Sequence, residues 1–394
     1  MMRSLLSHDR AGAFGSPRYR FARYNFDWPL FLSVALIAVI GVINLYSATS
    51  VAKTQLQDVY IQQIYWLFVG GLVAAFVAAI DYRHYERLAY GFYLFGIVLL
   101  VLVFVLGRDI RGSSRWVSLG FFSFQPSEFM KLFLVVALAK HYHADPETGP
   151  RTLKDLIAPA AIAAVPMMLV LKQPDLGTAL ILALILISIC SLMQIRARSL
   201  VTLLVSASVL GPVVWTYVLK DYQRQRVMSF LNPEANILGA NWHAHHARVA
   251  VGSGGWFGHG FMRGTQNQYL FLPDQQTDFP FPVFAEDWGF FGSVFLVILY
   301  GFLVIWSIRV ASLARDRFGS ALAIGIGALI FWQALFNLGM VLGLLPVVGV
   351  TLPLFSYGGS SVLTVLIGIG LLMNVSIRRS GGVPIRASAR LGAV

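Results

Sequence analysis

A carboxylate set among polar and aromatic neighbours, Gln276-Thr277-Asp278-Phe279, closes a long polar stretch just ahead of an apolar run that begins near Pro282. Asp278 is therefore expected at the mouth of a helical bundle, close to a membrane surface. An ionisable group at that depth is costly unless it is paired or used, which makes it a default candidate for a functional site. The chemistry open to it is proton transfer, the work of a positioned general base.

A second charged set leads into another apolar run. Arg108, Arg111 and Arg115 are followed by Trp116, then by Gln125-Pro126-Ser127-Glu128 and Lys131. On a helix Glu128 and Lys131 stand three apart and share a face, with Ser127 in position to cap it. The pair reads equally as a local neutralisation of charge inside the membrane and as a contact for an anionic substrate, and the two readings are compatible.

Two further turns carry polar groups to helix starts. In Lys172-Gln173-Pro174-Asp175-Leu176-Gly177-Thr178, Asp175 is best read as the N-cap of the following helix, which leaves Lys172 near the surface. Phe355-Ser356-Tyr357-Gly358-Gly359-Ser360-Ser361 offers hydroxyls and free N–H groups that suit an anion. A plain helix start with close glycine packing fits the same residues.

The glycines at 252, 254, 255, 258, 260 and 264 match neither a Walker A sequence nor a dinucleotide fingerprint, so turns and close backbone packing are their expected roles. His243, His245 and His246 scatter around a helix expected over residues 240–251, with no Cys or acid at ligand spacing. A wetted amphipathic surface helix fits them better than a metal site.

The elements that must hold these residues are membrane helices. With 57% hydrophobic and 12% charged residues over 394 positions, the chain is no soluble globular protein. The expected fold is all-α and polytopic, with ten transmembrane helices over residues 28–49, 61–80, 88–107, 129–140, 156–171, 176–194, 200–220, 282–308, 320–344 and 361–377. The fourth is short for a hydrocarbon core of about 30 Å and calls for support from neighbouring helices. The longest polar connection, residues 221–281 between the seventh and eighth spans, is too long for a structureless loop and is expected to carry architecture of its own.

Lys and Arg concentrate on one set of connections, which puts both termini in the cytoplasm and the 221–281 loop outside. The net charge of +12 thus falls mainly on the cytoplasmic face, where it suits anionic membrane lipids; no nucleic-acid-binding module is present. The one cysteine, Cys190, lies mid-span, which excludes a disulfide framework and a thiolate metal site. Residues 1–24 lack the apolar core of a cleavable signal and read as a flexible cytoplasmic tail, as do residues 380–394.

Taken together, Arg115-Trp116, Gln125-Pro126-Ser127-Glu128 with Lys131, Lys172-Gln173-Pro174-Asp175-Leu176-Gly177-Thr178, Tyr222-Gln223-Arg224-Gln225-Arg226-Val227, Asn232-Pro233-Glu234, Thr277-Asp278-Phe279 and Ser356-Tyr357-Gly358-Gly359-Ser360-Ser361 resemble the SEDS family of peptidoglycan polymerases. The resemblance covers nearly all ten expected spans. It is closer to the RodA branch, which serves cell elongation, than to the FtsW branch, which serves division. The points in favour are Lys172-Gln173-Pro174-Asp175, Gly264-Thr265-Gln266 ahead of Phe271-Leu272-Pro273, and Pro346-Val347-Val348-Gly349-Val350. Pro280, Asp287 and the three-histidine segment depart from the family's usual pattern.

The resemblance implies a glycosyltransferase that polymerises lipid II, the undecaprenyl-diphosphate-linked disaccharide pentapeptide, on the outer face of the bacterial cytoplasmic (inner) membrane. It implies Asp278 as general base, Arg115 and Lys131 as stabilisers of the departing diphosphate, and Glu128 as a group that orients Lys131 or assists a metal ion. Lys172, Asp175, Arg224, Arg226, Ser360 and Ser361 fall at its substrate-binding positions. A class B penicillin-binding protein is the implied partner. A divalent cation, Mg²⁺ or Mn²⁺, is compatible with the family although no ligand set can be named, and no organic cofactor is implied. Two other readings lead to different expectations: a flippase for lipid-linked precursors, and a scaffold for which Asp278 is dispensable.

Overall fold

The computed structural model describes residues 26–50, 58–110, 113–118, 123–145, 149–193, 195–218, 220–232, 234, 241–269, 271–272 and 274–379. The tails expected at 1–24 and 380–394 lie outside the described residues, as does Arg111. Ten helices fall where the ten spans are expected: α1 (Trp28–Thr49), α2 (Val59–Ala79), α3 (Tyr82–Leu106), α4 (Pro126–Ala144), α5 (Ile157–Lys172), α6 (Leu176–Cys190), α7 (Ala197–Val213), α11 (Pro280–Ser312), α12 (Arg317–Val341) and α13 (Gly359–Arg378). Three shorter helices, α8 (Asp221–Leu231), α9 (Trp242–Ser253) and α10 (Thr265–Gln268), lie in the long polar segment between α7 and α11.

Among the described residues, seven helices are long and apolar enough to cross a membrane: α1, α2, α3, α5 with the turn before it, α11, α12 and α13. Helix formation is enforced there, because lipid supplies no partner for a backbone N–H or C=O. The remaining three fall short for separate reasons. α6 has 15 residues, and α7 contains Pro212 and passes into a π-helical turn at Val214–Val218. α4 carries Glu128, Lys131 and Lys140 along its length.

Polar α4 is sheltered by protein. It packs against α3, α6, α12 and α13, and Met130, Leu134, Val135, Ala137 and Leu138 are buried. α2 and α13 approach closely enough that a Cβ at Gly370 would stand 2.6 Å from the Ala74 carbonyl oxygen, the small-residue contact that lets membrane helices interlock.

Aspartates begin four of these helices. Asp27 accepts from Leu30 N–H at 3.4 Å, Asp81 from Arg83 N–H at 3.0 Å, Asp175 from Thr178 N–H at 3.1 Å and Asp316 from Gly319 N–H at 2.8 Å. The start of α4 differs from expectation. Gln125 is its N-cap residue and Pro126 takes the first turn, where a missing N–H costs nothing, so Ser127 lies inside the helix.

The start of α1 and the end of α13 lie at the same end of the bundle. Ser376 Oγ donates to Asp27 at 2.5 Å, Trp306 Nε1 reaches the same carboxylate at 2.9 Å, and Tyr82 Oη donates to Asp316 at 2.7 Å. Both ends of the described chain are therefore together, and the start of α13 lies at the opposite end.

One connection is not the loop expected from sequence. β1 (Arg108–Ile110), β2 (Ser113–Ser118) and β3 (Ser123–Phe124) form a small antiparallel sheet in the order β1-β2-β3, with Arg108 opposite Trp116 and Val117 opposite Phe124. Alternating Ser, Arg, Trp and Val residues suit a ribbon wet on one face.

α9 is docked where a wetted surface helix was expected. Ala247 and Ala250 are buried, and the helix packs on α11 and α12. The His243 ring stacks on Phe279, while His246 stacks on Phe271 and bonds Gln266 Oε1 at 2.8 Å. The glycine-rich segment beyond it closes over a break in α11 at Gly289, whose φ of +66° only glycine adopts without strain. His259 and Gly260 N–H donate to the Glu286 and Asp287 carbonyls at 3.0 and 3.1 Å, and Phe290 N–H donates to Gly255 O at 2.8 Å. The loop thus satisfies backbone groups that the broken helix leaves open.

Candidate active site

The end of the bundle away from the start of α1 and the end of α13 holds a cavity of about 940 Å³. Its walls come from the starts of α2, α4, α6 and α13, the ribbon strand β2, helix α8, and the turns at 274–278 and 348–351. Eight of the ten residues singled out from sequence line it: Asp278, Lys131, Glu128, Arg115, Asp175, Arg226, Ser360 and Ser361.

Lys172 and Arg224 do not line it. Lys172 is exposed at the last turn of α5. Arg224 folds back along its own segment, donating to Thr216 O at 2.7 Å and standing 3.7 Å from Asp221. Residues two positions apart on a helix face nearly opposite sides, so the Arg224 and Arg226 guanidiniums leave α8 in different directions.

Asp278 is held by its backbone. Asp274, in the left-handed region at φ +53°, accepts from Thr277 and Asp278 N–H at 3.1 Å each and from Phe279 N–H at 3.3 Å. Buried Asn337 on α12 then clamps the Asp278 carbonyl at 2.9 Å and the Val350 carbonyl at 2.7 Å. Gln275 Nε2 donates to Ala48 O at 2.5 Å, and Tyr357 N–H donates to Gln276 O at 2.8 Å. Phe279, 3% exposed, is the N-cap residue of α11, with Pro280 next. The carboxylate itself is half-buried, faces the cavity and lies beside Gly349, where a Cβ would come within 3.4 Å of Oδ2.

Cations line the same cavity. Lys131, only 2% exposed, meets Glu128 Oε2 at 2.8 Å, the pairing that their three-residue spacing predicts. Nearby on α12, Gln333 is 1% exposed, lines the same cavity, and its Oε1 has no hydrogen-bond partner.

Arg115 projects from β2. Its Nε donates to Gln173 O at 3.0 Å, one Nη to Pro174 O, and the other Nη stands 3.7 Å from Asp175. Asp175 also accepts from Thr178 Oγ1 at 2.9 Å. It is both helix cap and counter-charge.

Hydroxyls close the rim at the start of α13. Ser360 Oγ accepts from Gln125 N–H at 3.1 Å, and Ser361 Oγ lies 2.9 Å from Thr351 Oγ1. Tyr357 Oη donates to Gln62 Oε1 at 2.5 Å, and burial holds its hydroxyl above the usual tyrosine range, so it stays a donor. Trp66 and Tyr65 add an aromatic wall from α2.

Gln62, Tyr65, Trp66, Gln333 and Asn337 were not picked out from sequence. They lie in largely apolar runs, with no charged residue adjacent to mark them.

Among the described residues no three Asp, Glu, His or Cys side chains converge to hold a metal ion. Of the four carboxylates that line the cavity, Glu128, Asp175, Asp274 and Asp278, the first two are committed to Lys131 and to Arg115 with Thr178. The donor set does not build a divalent-cation cage of its own.

A polytopic helical membrane protein with a polar, oppositely charged cavity at one end of its bundle is the class that fold and site define. The chain belongs to the FtsW, RodA and SpoVE family, described as cell cycle proteins, whose model matches residues 27–381. It is 36% identical over 350 residues to the peptidoglycan glycosyltransferase MrdB of Escherichia coli K12, covering 88% of this chain and 94% of that one. It is 30% identical over 427 residues to the peptidoglycan glycosyltransferase RodA of Treponema pallidum, covering 90% and 98%. Among solved structures, a chain from a peptidoglycan synthase complex that coordinates polymerization and crosslinking superposes with a TM-score of 0.76 at 34% identity, covering 91% of this chain and 99% of that one. RodA of Thermus thermophilus superposes with a TM-score of 0.67 at 32% identity, covering 90% and 97%.

Proposed function

We propose that this protein is a RodA-like peptidoglycan glycosyltransferase that polymerises lipid II during cell elongation. The observation that carries the reading is a single cavity in which the Asp278 carboxylate shares walls with Lys131, Arg115 and Arg226. Transfer from an α-linked diphosphate donor to the 4-hydroxyl of an acceptor sugar, with inversion, needs a base on one face and anion stabilisation on the other.

In the proposed step Asp278 takes the proton of the acceptor hydroxyl as its oxygen bonds to the donor C1. The C1–O bond to phosphate breaks, and undecaprenyl diphosphate leaves with the electron pair. A positioned base is worth about 10² to 10⁴ in rate. Lys131, oriented by Glu128, and the guanidiniums of Arg115 and Arg226 meet the charge that develops on the diphosphate, stabilisation that is strongest where water is excluded. Ser360 and Ser361, at the N-terminus of α13, add donors for the same anion. Any Mg²⁺ or Mn²⁺ is taken to enter with the substrate's phosphates, which would complete a shell the side chains do not supply alone.

The excess of basic residues on the connections at the termini's end supports a cytoplasmic location for both termini, and hence an extracytoplasmic cavity. A class B penicillin-binding protein is the proposed partner, since glycan made on that side requires crosslinking there; likeness to a chain of a peptidoglycan synthase complex supports this.

Purified protein with labelled lipid II decides the reading. Polymer is expected from the wild type and not from Asp278→Asn. Movement of lipid II across vesicle membranes without polymer would replace the enzyme with a flippase, and polymer from Asp278→Asn equal to wild type would remove the base.

A further inference from the structure

Beside the large cavity lies a smaller one of about 250 Å³. One wall is polar and basic: α8 presents Arg226 and Ser229 to it, and α9 presents Asn241 and Arg248. The facing wall, from the end of α12 and the chain after it, is apolar, with Met340, Leu345, Pro346 and Val347. The two spaces adjoin, because Arg226 lines both and Val347 of the smaller precedes Val348 of the larger.

The smaller cavity is a built feature. Arg248 Nε donates to Ala244 O at 3.2 Å, and its stem runs against Gly343, which has φ +73° and where a Cβ would stand 3.0 Å from Arg248 Cδ. Asn241, 3% exposed, is fixed by donating to Asn232 O at 3.1 Å. Among the described residues no carboxylate is paired with Arg226 or Arg248. Two guanidiniums thus border one small space without a counter-charge among the described residues.

We propose that this cavity is a subsite for the terminal carboxylate of the peptide carried by the glycan substrate, with Arg248 as the residue that sets specificity for it. The proposal rests on the larger cavity being the polymerisation site. A guanidinium fork matches a carboxylate with two parallel hydrogen bonds, and the apolar wall accommodates short alkyl side chains next to it. The space is too small for a disaccharide unit. A diphosphate is the other anion the substrate offers, but it is joined to the reacting sugar carbon and so belongs with Asp278, Lys131 and Arg115 in the larger cavity.

The test uses the full chain in detergent with two lipid-linked substrates, one bearing a free peptide carboxylate and the other the terminal amide. Amidation should lower wild-type kcat/KM about 10- to 100-fold, the factor expected from losing a charge-assisted hydrogen bond, with most of the change in KM. Arg248→Gln should lose the same factor on the free acid and nothing further on the amide, and Arg248→Lys should recover part of it. Equal losses on both substrates, or none on either, overturn the proposal.

A binding arm keeps the two readings separable. A water-soluble disaccharide peptide should bind wild type about tenfold or more tightly than Arg248→Gln, the size of one lost charge-assisted hydrogen bond, and inorganic diphosphate should bind both alike. Diphosphate sensitive to Arg248, with peptide insensitive to it, overturns the assignment. If wild type makes no polymer from either substrate the polymerase reading falls, and the peptide-binding difference still decides the subsite.

Discussion

Asp278 and Asp287 sit nine positions apart at the same end of the bundle, yet they occupy opposite circumstances. Asp287 is 2% exposed and accepts from Ser47 Oγ at 2.5 Å, Gly264 N–H at 3.3 Å and Met262 N–H at 3.4 Å. It ties α1, the glycine-rich loop and the break at Gly289 together, and it lines neither cavity. Asp278 is half-buried, has its backbone clamped by Asn337, and lines the cavity whose walls also carry Lys131, Arg115 and Arg226. Under the proposed function it is access to the cavity, not depth of burial, that separates the two carboxylates.

The comparison breaks most sharply at the aspartates themselves. Asp278→Asn should reduce polymer formation by about 10² to 10⁴ with an unchanged thermal midpoint in detergent. Asp287→Asn should leave the rate within a few-fold and lower stability by about 1–3 kcal/mol, because an amide N–H replaces one acceptor oxygen among buried donors. If the two variants exchange these phenotypes, the roles of the two carboxylates are reversed.

A second contrast lies within one ion pair. Lys131→Gln should lower turnover about 10²- to 10³-fold, the usual cost of removing an electrostatic stabiliser of the developing charge. It should also destabilise by about 3–5 kcal/mol, since Glu128 is left buried and alone. The double variant Glu128→Gln/Lys131→Gln separates the effects. Stability should return while activity stays low, measured by melting and polymer yield on the same preparations; recovery of activity would reduce the pair to structural neutralisation.

The charged motifs were legible because each is local. Glu128 with Lys131 follows from helical spacing, Asp175 from capping, and Asp278 from its place before an apolar run. Helix positions were legible for the same reason, α1 to the residue. What escaped depends on distant segments meeting. The ribbon at 108–124 is too short and too polar for a strand signal of its own. Asn337 gains its meaning only from the carbonyls of Asp278 and Val350, which arrive from two other stretches of chain. α9 was expected on the surface because its histidines look wettable, but its aromatic contacts with Phe271 and Phe279 could not be foreseen from periodicity.

Asn337 gives the next prediction in size. Asn337→Leu keeps the volume close and removes the clamp, leaving two buried carbonyls without a donor at about 1–3 kcal/mol each. Turnover should fall about tenfold through misplacement of Asp278, with the pH profile of the residual activity unchanged. A change in that profile would mean that Asn337 acts on the carboxylate directly and not through the backbone.

The smallest effects belong to Lys172 and Arg224, the two candidates that the fold keeps out of the cavity. Lys172→Gln and Arg224→Gln should change polymer yield by less than about twofold, as expected for surface substitutions that break no special feature. Arg226→Gln, two positions from Arg224 on the same helix, should lose activity, because its guanidinium borders the substrate space. The pair Arg224 and Arg226 is the stringent comparison, since composition, helix and solvent side are nearly shared and only direction differs. Equal losses from both would mean that α8 rotates or moves when substrate binds, bringing Arg224 inward, and the cavity's boundary would then have to be redrawn around that helix.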